Sequence, residues 1–342
     1  MDIFSISDIF FISTSFVTTT GFHHKLLVNL NYSDALNIWC SFIQMLGGLL
    51  SILSYILFFL ILFNKHNKFV VFNKILVIKF IIYYFAVFFL YILILNFSFQ
   101  DPFNGFMMAS SIISTGGNVG TYGPMLGYYF SNNNFLIIYS LLLIITIFLL
   151  PIFLFIQNHK VLNSLYINVI KRSLFPFFSI VIILIVFFRT NSLTIVENLF
   201  LNLSFITTTG ILPYKLSNIV ILQQIFPLFF IFLSLIFIGS FSGSTSGGLK
   251  IDKLSIIFIK IKEELEKLTL SHKIYGIELI KKGFNQKELN SLFSLMVLGG
   301  LFVSGTIIIL TAIGYTVFDS FVLALAALTN SGEGFLYIND VL

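Results

Sequence analysis

The sequence predicts an all-α integral membrane protein, on three observations: its composition, its long apolar runs, and a short motif that occurs four times. Of its 342 residues, 58% are hydrophobic and only 10% are charged, and the mean hydropathy is +1.01. Soluble globular domains carry about 25% charged residues, so this composition belongs in a bilayer. The runs are apolar on every side, whereas transmembrane β-strands alternate over about 10 residues. The spans are therefore predicted to be helices.

Several runs are long enough to cross about 30 Å of hydrocarbon, which takes roughly 20 apolar residues. They are residues 37–63, 75–97, 135–156, 175–188, 219–238 and 289–312, of which the fourth is the shortest. The first 20 residues carry Asp2 and Asp8 and no basic residue, so they do not predict a cleaved signal peptide. The single cysteine, Cys40, excludes an internal disulfide and a cysteine-cluster metal site.

The net charge is +5, and the placement of the basic residues along the chain matches a membrane topology better than a nucleic-acid-binding surface. The connections between predicted spans fall alternately on the two sides of the membrane. Those on one side hold only Lys25, Arg189 and Lys215, and the other basic residues lie in the connections on the opposite side. By the positive-inside rule the basic side is cytoplasmic, and no nucleic-acid partner is expected. The cytoplasmic basic residues are Lys65, Lys68, Lys74, Lys79, Lys160, Lys171, Arg172 and those between 250 and 287.

On the outer side a motif recurs: a hydrophobic stretch of about 10 residues, too short to span, followed by small hydroxyl residues and glycine. These stretches begin near Asp8, Asp101-Pro102, Thr194 and Asp319. The aligned glycines are 96, 93 and 122 residues apart, and a charged insert within 250–287 accounts for the longer interval. The four endings are Thr18-Thr19-Thr20-Gly21, Ser114-Thr115-Gly116-Gly117-Asn118, Thr207-Thr208-Thr209-Gly210 and Thr329-Asn330-Ser331-Gly332.

A single ending of this kind could be a helix cap or a packing patch, but four in register predict re-entrant loops around one pore. A half-length helix followed by non-helical chain is tolerated at membrane depth only beside a cavity or packed protein. Glycine can adopt positive φ and turn carbonyls toward an axis, and carbonyl rings replace the hydration shell of a cation. The C-terminal ends of the short helices add partial negative charge. The endings are therefore the candidate cation-binding filter.

Two further stretches carry a family resemblance: Trp39 with Gln44-Met45-Leu46-Gly47-Gly48, and the glycine-rich residues 239–250. With the four endings they resemble the Trk/Ktr/HKT superfamily of potassium transporters over nearly the whole chain. The resemblance implies four pseudo-repeated helix, pore-loop, helix units around a central pore, with K⁺ as the transported ion and no cofactor in this chain. Glycine at all four filter positions resembles potassium-preferring members, since sodium-preferring plant relatives carry serine in the first.

The resemblance divides the chain into four units. Residues 1–66 hold the first pore loop and a second helix, and residues 67–160 form unit 2. Residues 161–270 form unit 3, with a cytoplasmic helix extension, and residues 271–342 hold the first helix and pore loop of unit 4. On this pattern the first and last helices are missing, and we expect the chain to be a fragment of a longer protein.

The glycine-rich residues 239–250 are expected to form an intramembrane loop. Their glycines, serines and threonines would break an apolar helix, although such residues also form helix-packing motifs in membranes. The resemblance implies that this loop is a gate below the filter. Lys250 fits either a gating contact or a cytoplasmic anchor. The candidate gate residues are Gly239, Gly243, Ser244, Thr245, Gly247, Gly248 and Lys250.

The resemblance also implies an assembly: a homodimer in the plasma membrane of a bacterium, with cytoplasmic nucleotide-binding regulatory subunits of the TrkA/KtrA type. Asn118 and Glu333 depart from the family pattern, and Glu333 is either a cation-attracting charge or a solvated residue. The alternatives are a sodium-selective or sodium-coupled potassium transporter, and a non-conducting truncated relative. An enzyme is not expected, because the spans hold almost no ionisable groups.

Overall fold

A computed structural model describes residues 5–22, 34–64, 74–99, 101–117, 130–157, 194–212, 233–269 and 286–332. Within these residues every regular element is a helix, which confirms the all-α prediction. In chain order the elements are α1 (Ile6–Val17), α2 (Asp34–Asn64), α3 (Lys74–Phe99), α4 (Pro102–Ser114), α5 (Asn133–Ile147), α6 (Leu149–Ile156), α7 (Ile195–Ile206), α8 (Ile251–Thr269), α9 (Gln286–Ile313) and α10 (Val317–Thr329).

Three of the described helices are long and apolar enough to cross a membrane. The crossing stretches are Ala35–Leu57 in α2, Ile75–Ser98 in α3 and Phe293–Ile313 in α9. They confirm the predicted spans at 37–63, 75–97 and 289–312. The predicted span at 175–188 lies outside the described residues, and of 219–238 only residues 233–238 are described, which are helical.

The span predicted over 135–156 is helical but broken, because the chain bends by 61° between α5 and α6. Phe148 lies at the break with φ −103° and ψ 18°. Pro151 follows in the first turn of α6, where its ring has no N–H to donate and would clash with the carbonyl of residue 147 in a straight helix. Together the two helices are long and apolar enough for one broken span, and their bend equally fits a re-entrant loop.

The four short helices, α1, α4, α7 and α10, have 12 or 13 residues, and each begins at a side-chain cap. In α1 and α7 a hydroxyl and a carboxylate cap each other's backbone N–H groups. In α4 an aspartate cap precedes a proline at the first helical position. The capping side chains and the residues whose N–H groups they accept are Ser5 and Asp8, Asp101 and Phe103, Thr194 and Glu197, and Thr316 and Asp319. These positions coincide with the starts that the sequence predicts.

The buried core surrounds α4. This helix packs against α2, α3 and α5, whereas α1 packs on α2, α7 on α5, and α10 on α9. Residues 107–114 of α4 are all buried. The buried Tyr84 of α3 donates to the Met45 carbonyl of α2 at 3.0 Å, which joins two spans beside α4. In contrast, α9 exposes most of its apolar side chains, as a helix facing lipid does.

Helix α8 differs from the spans because it is amphipathic and charged. Lys260 pairs with Glu264 at 2.8 Å and Lys262 with Glu266 at 3.8 Å, both in i,i+4 spacing along the helix. It begins directly after the glycine-rich residues 239–250.

Candidate functional site

The segments that follow the four short helices share one backbone conformation. We call residues 18–21, 114–117, 207–210 and 329–332 the first to fourth turn segments. In each, the closing glycine and the residue two positions before it have positive φ. Such φ values are uncommon outside glycine and strained for a β-branched residue. The pairs are Thr19 (57°) with Gly21 (77°), Thr115 (52°) with Gly117 (73°), Thr208 (59°) with Gly210 (67°), and Asn330 (54°) with Gly332 (53°).

The same hydrogen bonds hold all four turn segments. The backbone N–H just before the closing glycine donates to a carbonyl five residues earlier, at 2.9 to 3.2 Å. The hydroxyl three positions before that glycine donates to a carbonyl in the last helical turn. The threonine hydroxyls at this position therefore hold the turn. These donors and acceptors are Thr18 and Thr14 (2.7 Å), Ser114 and Ser110 (2.6 Å), Thr207 and Leu203 (2.7 Å), and Thr329 and Leu325 (2.8 Å).

The fold brings the turn segments into direct backbone contact. A Cβ atom on Gly21 would overlap the Gly116 carbonyl of the second segment, and one on Gly117 would overlap the Thr209 carbonyl of the third. A Cβ on Gly332 would overlap the Thr20 carbonyl of the first. The order around the site is therefore fourth, first, second, third. No side chain larger than hydrogen fits at these glycines without moving the neighbouring backbone.

The chain is non-helical from 239 to 250, the range expected for the glycine-rich loop. The Gly247 N–H donates to Thr208 Oγ1 in the third turn segment at 2.9 Å. Thr245 Oγ1 donates to the carbonyl of Ile113, next to the second segment, at 3.1 Å. A Cβ on Gly247 would overlap the Thr329 carbonyl of the fourth segment. The loop thus contacts the chain at three of the four turn segments.

The Lys250 side chain bonds within the loop at 239–250 and does not point away from it as a cytoplasmic anchor would. Its φ is 73°, and its ammonium donates to the carbonyl of Ser246, to Ser246 Oγ at 3.0 Å, and to Ser244 Oγ at 3.2 Å. Asp252, in the first turn of α8, accepts the backbone N–H of Ser242 at 2.8 Å. Sequence reasoning missed Asp252, although an acidic residue in a first helical turn is the available signal.

The turn segments offer neutral oxygens and no charged ligands. Threonine, serine, asparagine and glycine compose them, and in the described part of the chain no three His, Cys, Asp or Glu residues cluster as metal ligands do. Carbonyl and hydroxyl oxygens suit a monovalent cation that must bind and leave quickly. Asn118 and Glu333 lie outside the described residues.

Comparisons with known proteins point to one group. The potassium uptake protein TrkH of Escherichia coli K12 is 27% identical over 150 residues, which are 43% of this chain and 30% of that protein. TrkG of the same organism is 30% identical over 99 residues, 29% of this chain and 20% of that protein. The chain thus matches less than a third of the length of these curated relatives. No family model matches the sequence.

The crystal structure of the potassium transporter TrkH from Vibrio parahaemolyticus shares the fold. It matches 99% of this chain and 71% of its own length, with a TM-score of 0.81 and 21% identity. This likeness and the three long apolar helices agree with the predicted multi-pass membrane protein. The chain is thus similar in sequence to the Trk potassium uptake proteins over less than half of its length, and it shares the fold of TrkH over nearly all of it.

Proposed function

We propose that this chain forms the pore of a potassium uptake system and that the four turn segments are its selectivity filter. The observation that carries the proposal is the fourfold repetition of one strained turn, with three neighbouring pairs in backbone contact. The matched relatives are themselves named potassium uptake proteins. Glycine at all four closing positions favours potassium over the sodium-selective alternative.

The chemistry of the turn segments supports this role. A cation that enters a narrow pore exchanges its water shell for other oxygens, and backbone carbonyls supply them without a buried permanent charge. Each segment follows the C-terminal end of a short helix, where the helix dipole places partial negative charge. The hydroxyls three positions before the closing glycines donate their hydrogens to helix carbonyls, so their oxygens keep free lone pairs and remain candidate ligands beside the backbone carbonyls.

We further propose that the loop at 239–250 is a gate. Its contacts with Thr208, Ile113 and Thr329 support a position directly against the filter. Lys250 fastens the loop internally, and Asp252 joins it to α8. A displacement of α8 would therefore pull on the loop, which gives a cytoplasmic signal a route to the filter.

The assembly is also a proposal. Resemblance favours a homodimer with cytoplasmic nucleotide-binding regulatory subunits of the TrkA/KtrA type. The exposed apolar side chains of α8 support a protein partner on this helix, because they are spaced along one face. They are Phe258, Ile261, Leu265 and Leu268.

Rb⁺ uptake and growth at low potassium, in cells that lack their own potassium uptake, test the proposal. The full-length protein is expressed with its regulatory subunits, alongside Gly21→Ser, Gly210→Ser and the control Gly300→Ala, which lies in α9 with no atom within 4 Å of its Cβ position. We expect rescue by the wild type and the control, and loss of uptake or a shift toward sodium in the serine variants. A membrane-inserted wild type that gives no rescue would contradict the potassium pore and favour a non-conducting subunit.

A further inference from the structure

Helix α2 lies against two of the turn segments through consecutive glycines. A Cβ on Gly47 would overlap the Val17 carbonyl at the end of α1 and approach the Thr19 side chain to 3.2 Å. A Cβ on Gly48 would lie 2.7 Å from Ser114 Cα at the end of α4. The α2 backbone is therefore in contact with both the first and the second turn segments.

Gln44, one helical turn earlier, fills the space behind the second turn segment. The three atoms nearest to a Cβ built on Gly116 all belong to the Gln44 side chain, and they include its Nε2. Gly116 itself does not have positive φ. Gln44 is thus the nearest obstacle to a side chain at position 116, and it lies against the backbone of the second turn segment.

The Gln44 side-chain amide is buried and makes no hydrogen bond with the residues that the structure describes. The residue is 1% exposed, and neither Nε2 nor Oε1 has a hydrogen-bond partner among the residues that the structure describes. Ser41 Oγ, one helical turn earlier on α2, is likewise buried without a hydrogen-bond partner among the described residues. Buried polar atoms without partners are rare and costly, and an apolar side chain would fill this space at no such cost. An amide here indicates a function beyond packing.

We propose that Gln44 is a positioning residue for ion selectivity, an inference that rests on the proposed pore function. Its amide can both donate and accept, so it can support the peptide groups of the second turn segment when these turn toward a bound cation. Gly47 and Gly48 let α2 approach closely enough for this contact. The three residues together set the separation of the first and second turn segments, and hence the size of ion that they accept.

The test measures Rb⁺ uptake and its competition by Na⁺ in the potassium-uptake-deficient cells, with membrane abundance determined for each variant. We expect Gln44→Leu to lower the preference for Rb⁺ over Na⁺ about tenfold, as for the loss of one supporting hydrogen bond, at unchanged abundance. Gly300→Ala should preserve both quantities. If Gln44→Leu does not accumulate, Gln44→Met, which keeps the length of the side chain, takes its place.

A double substitution tests the contact itself. Gly116→Ala should impair uptake, and adding Gln44→Ala should restore part of the uptake, because the nearest obstacle is then removed. Gly117→Ala should not be restored by Gln44→Ala, since its φ of 73° and the Thr209 carbonyl oppose it. Equal defects of Gly116→Ala with and without Gln44→Ala, or wild-type ion preference in the Gln44 variant, would overturn the inference. A wild type without uptake would instead overturn the pore itself.

Discussion

At the scale of single residues, the site depends on hydroxyl groups that close the ends of the short helices. Thr207 Oγ1 donates to the Leu203 carbonyl at 2.7 Å and lies 3.1 Å from Thr209 Oγ1, in a fully buried position. An intramolecular hydrogen bond of this kind contributes about 0.5–1.5 kcal/mol. The next residue, Thr208, has a strained positive φ. The cost of such a backbone conformation is of similar size, so this hydrogen bond helps to offset it.

Replacing Thr207 with valine keeps the shape of the side chain and removes these bonds. We expect Thr207→Val to destabilise the turn by about 1 kcal/mol and to lower Rb⁺ uptake several-fold, because the third turn segment loses its fixed geometry. Thermal unfolding in detergent and uptake in cells measure the two effects.

The matched control is Thr311→Val in α9, whose hydroxyl makes the same kind of bond to the Ile307 carbonyl at 2.8 Å. It should leave uptake unchanged. An equal loss of uptake in both variants would show that the hydroxyl at Thr207 has no special part in the filter.

At the scale of elements, the loop at 239–250 is bonded both to the third turn segment and to helix α8, which follows it directly in the chain. The Gly247 N–H bonds to Thr208, and the Ser242 N–H bonds to Asp252. On the proposed gating role, the loss of one of these bonds should shift the balance between a closed and an open loop.

Thr208→Val removes the acceptor of the Gly247 N–H without changing side-chain shape. We expect initial Rb⁺ uptake to rise about fivefold, the change in a two-state balance for about 1 kcal/mol, because the loop is released from the filter. Thr115→Val is the comparison, since Thr115 has the same backbone conformation but donates to its own Ser114 carbonyl at 2.8 Å. It should not raise uptake. A rise in both variants, or in neither, would argue against the gate.

At the scale of the whole molecule, the exposed apolar surface fits a bilayer. Helix α9 carries exposed leucine, isoleucine, valine and phenylalanine along its length, and its crossing stretch runs from Phe293 to Ile313. Because α8 is charged and the start of α10 follows the other end of α9, these two regions should lie on opposite sides of the membrane.

Cysteine labelling checks this topology. In a Cys40→Ser background, Val317→Cys at the start of α10 and Phe258→Cys on α8 are both at exposed positions, 69% and 68%. We expect a membrane-impermeant maleimide to label the former in spheroplasts and the latter only in inverted vesicles. Labelling of both from one side would mean that α9 does not cross.

Local sequence patterns predicted the helical spans and the starts of the short helices. Apolar runs at 37–63, 75–97 and 289–312 became spanning helices because bilayer thickness sets the length of a span. The short helices start where Asp8, Asp101 and Thr194 satisfy free N–H groups, which is also a local effect. The bend near Phe148 was missed, although Pro151 was present in the sequence, because hydropathy does not respond to backbone clashes.

The sequence by itself determined the fold class, the spans at 37–63, 75–97 and 289–312, the starts of the short helices and the four repeated glycine endings, since each depends on residues a few positions apart. Only the tertiary structure decided which of these endings are in contact. It also decided that the Lys250 ammonium bonds within its own loop and that the Gln44 amide lies against Gly116. Thr20 and Asn330 meet although they are 310 residues apart in the chain. Such contacts depend on how helices pack around one another, which no local pattern encodes.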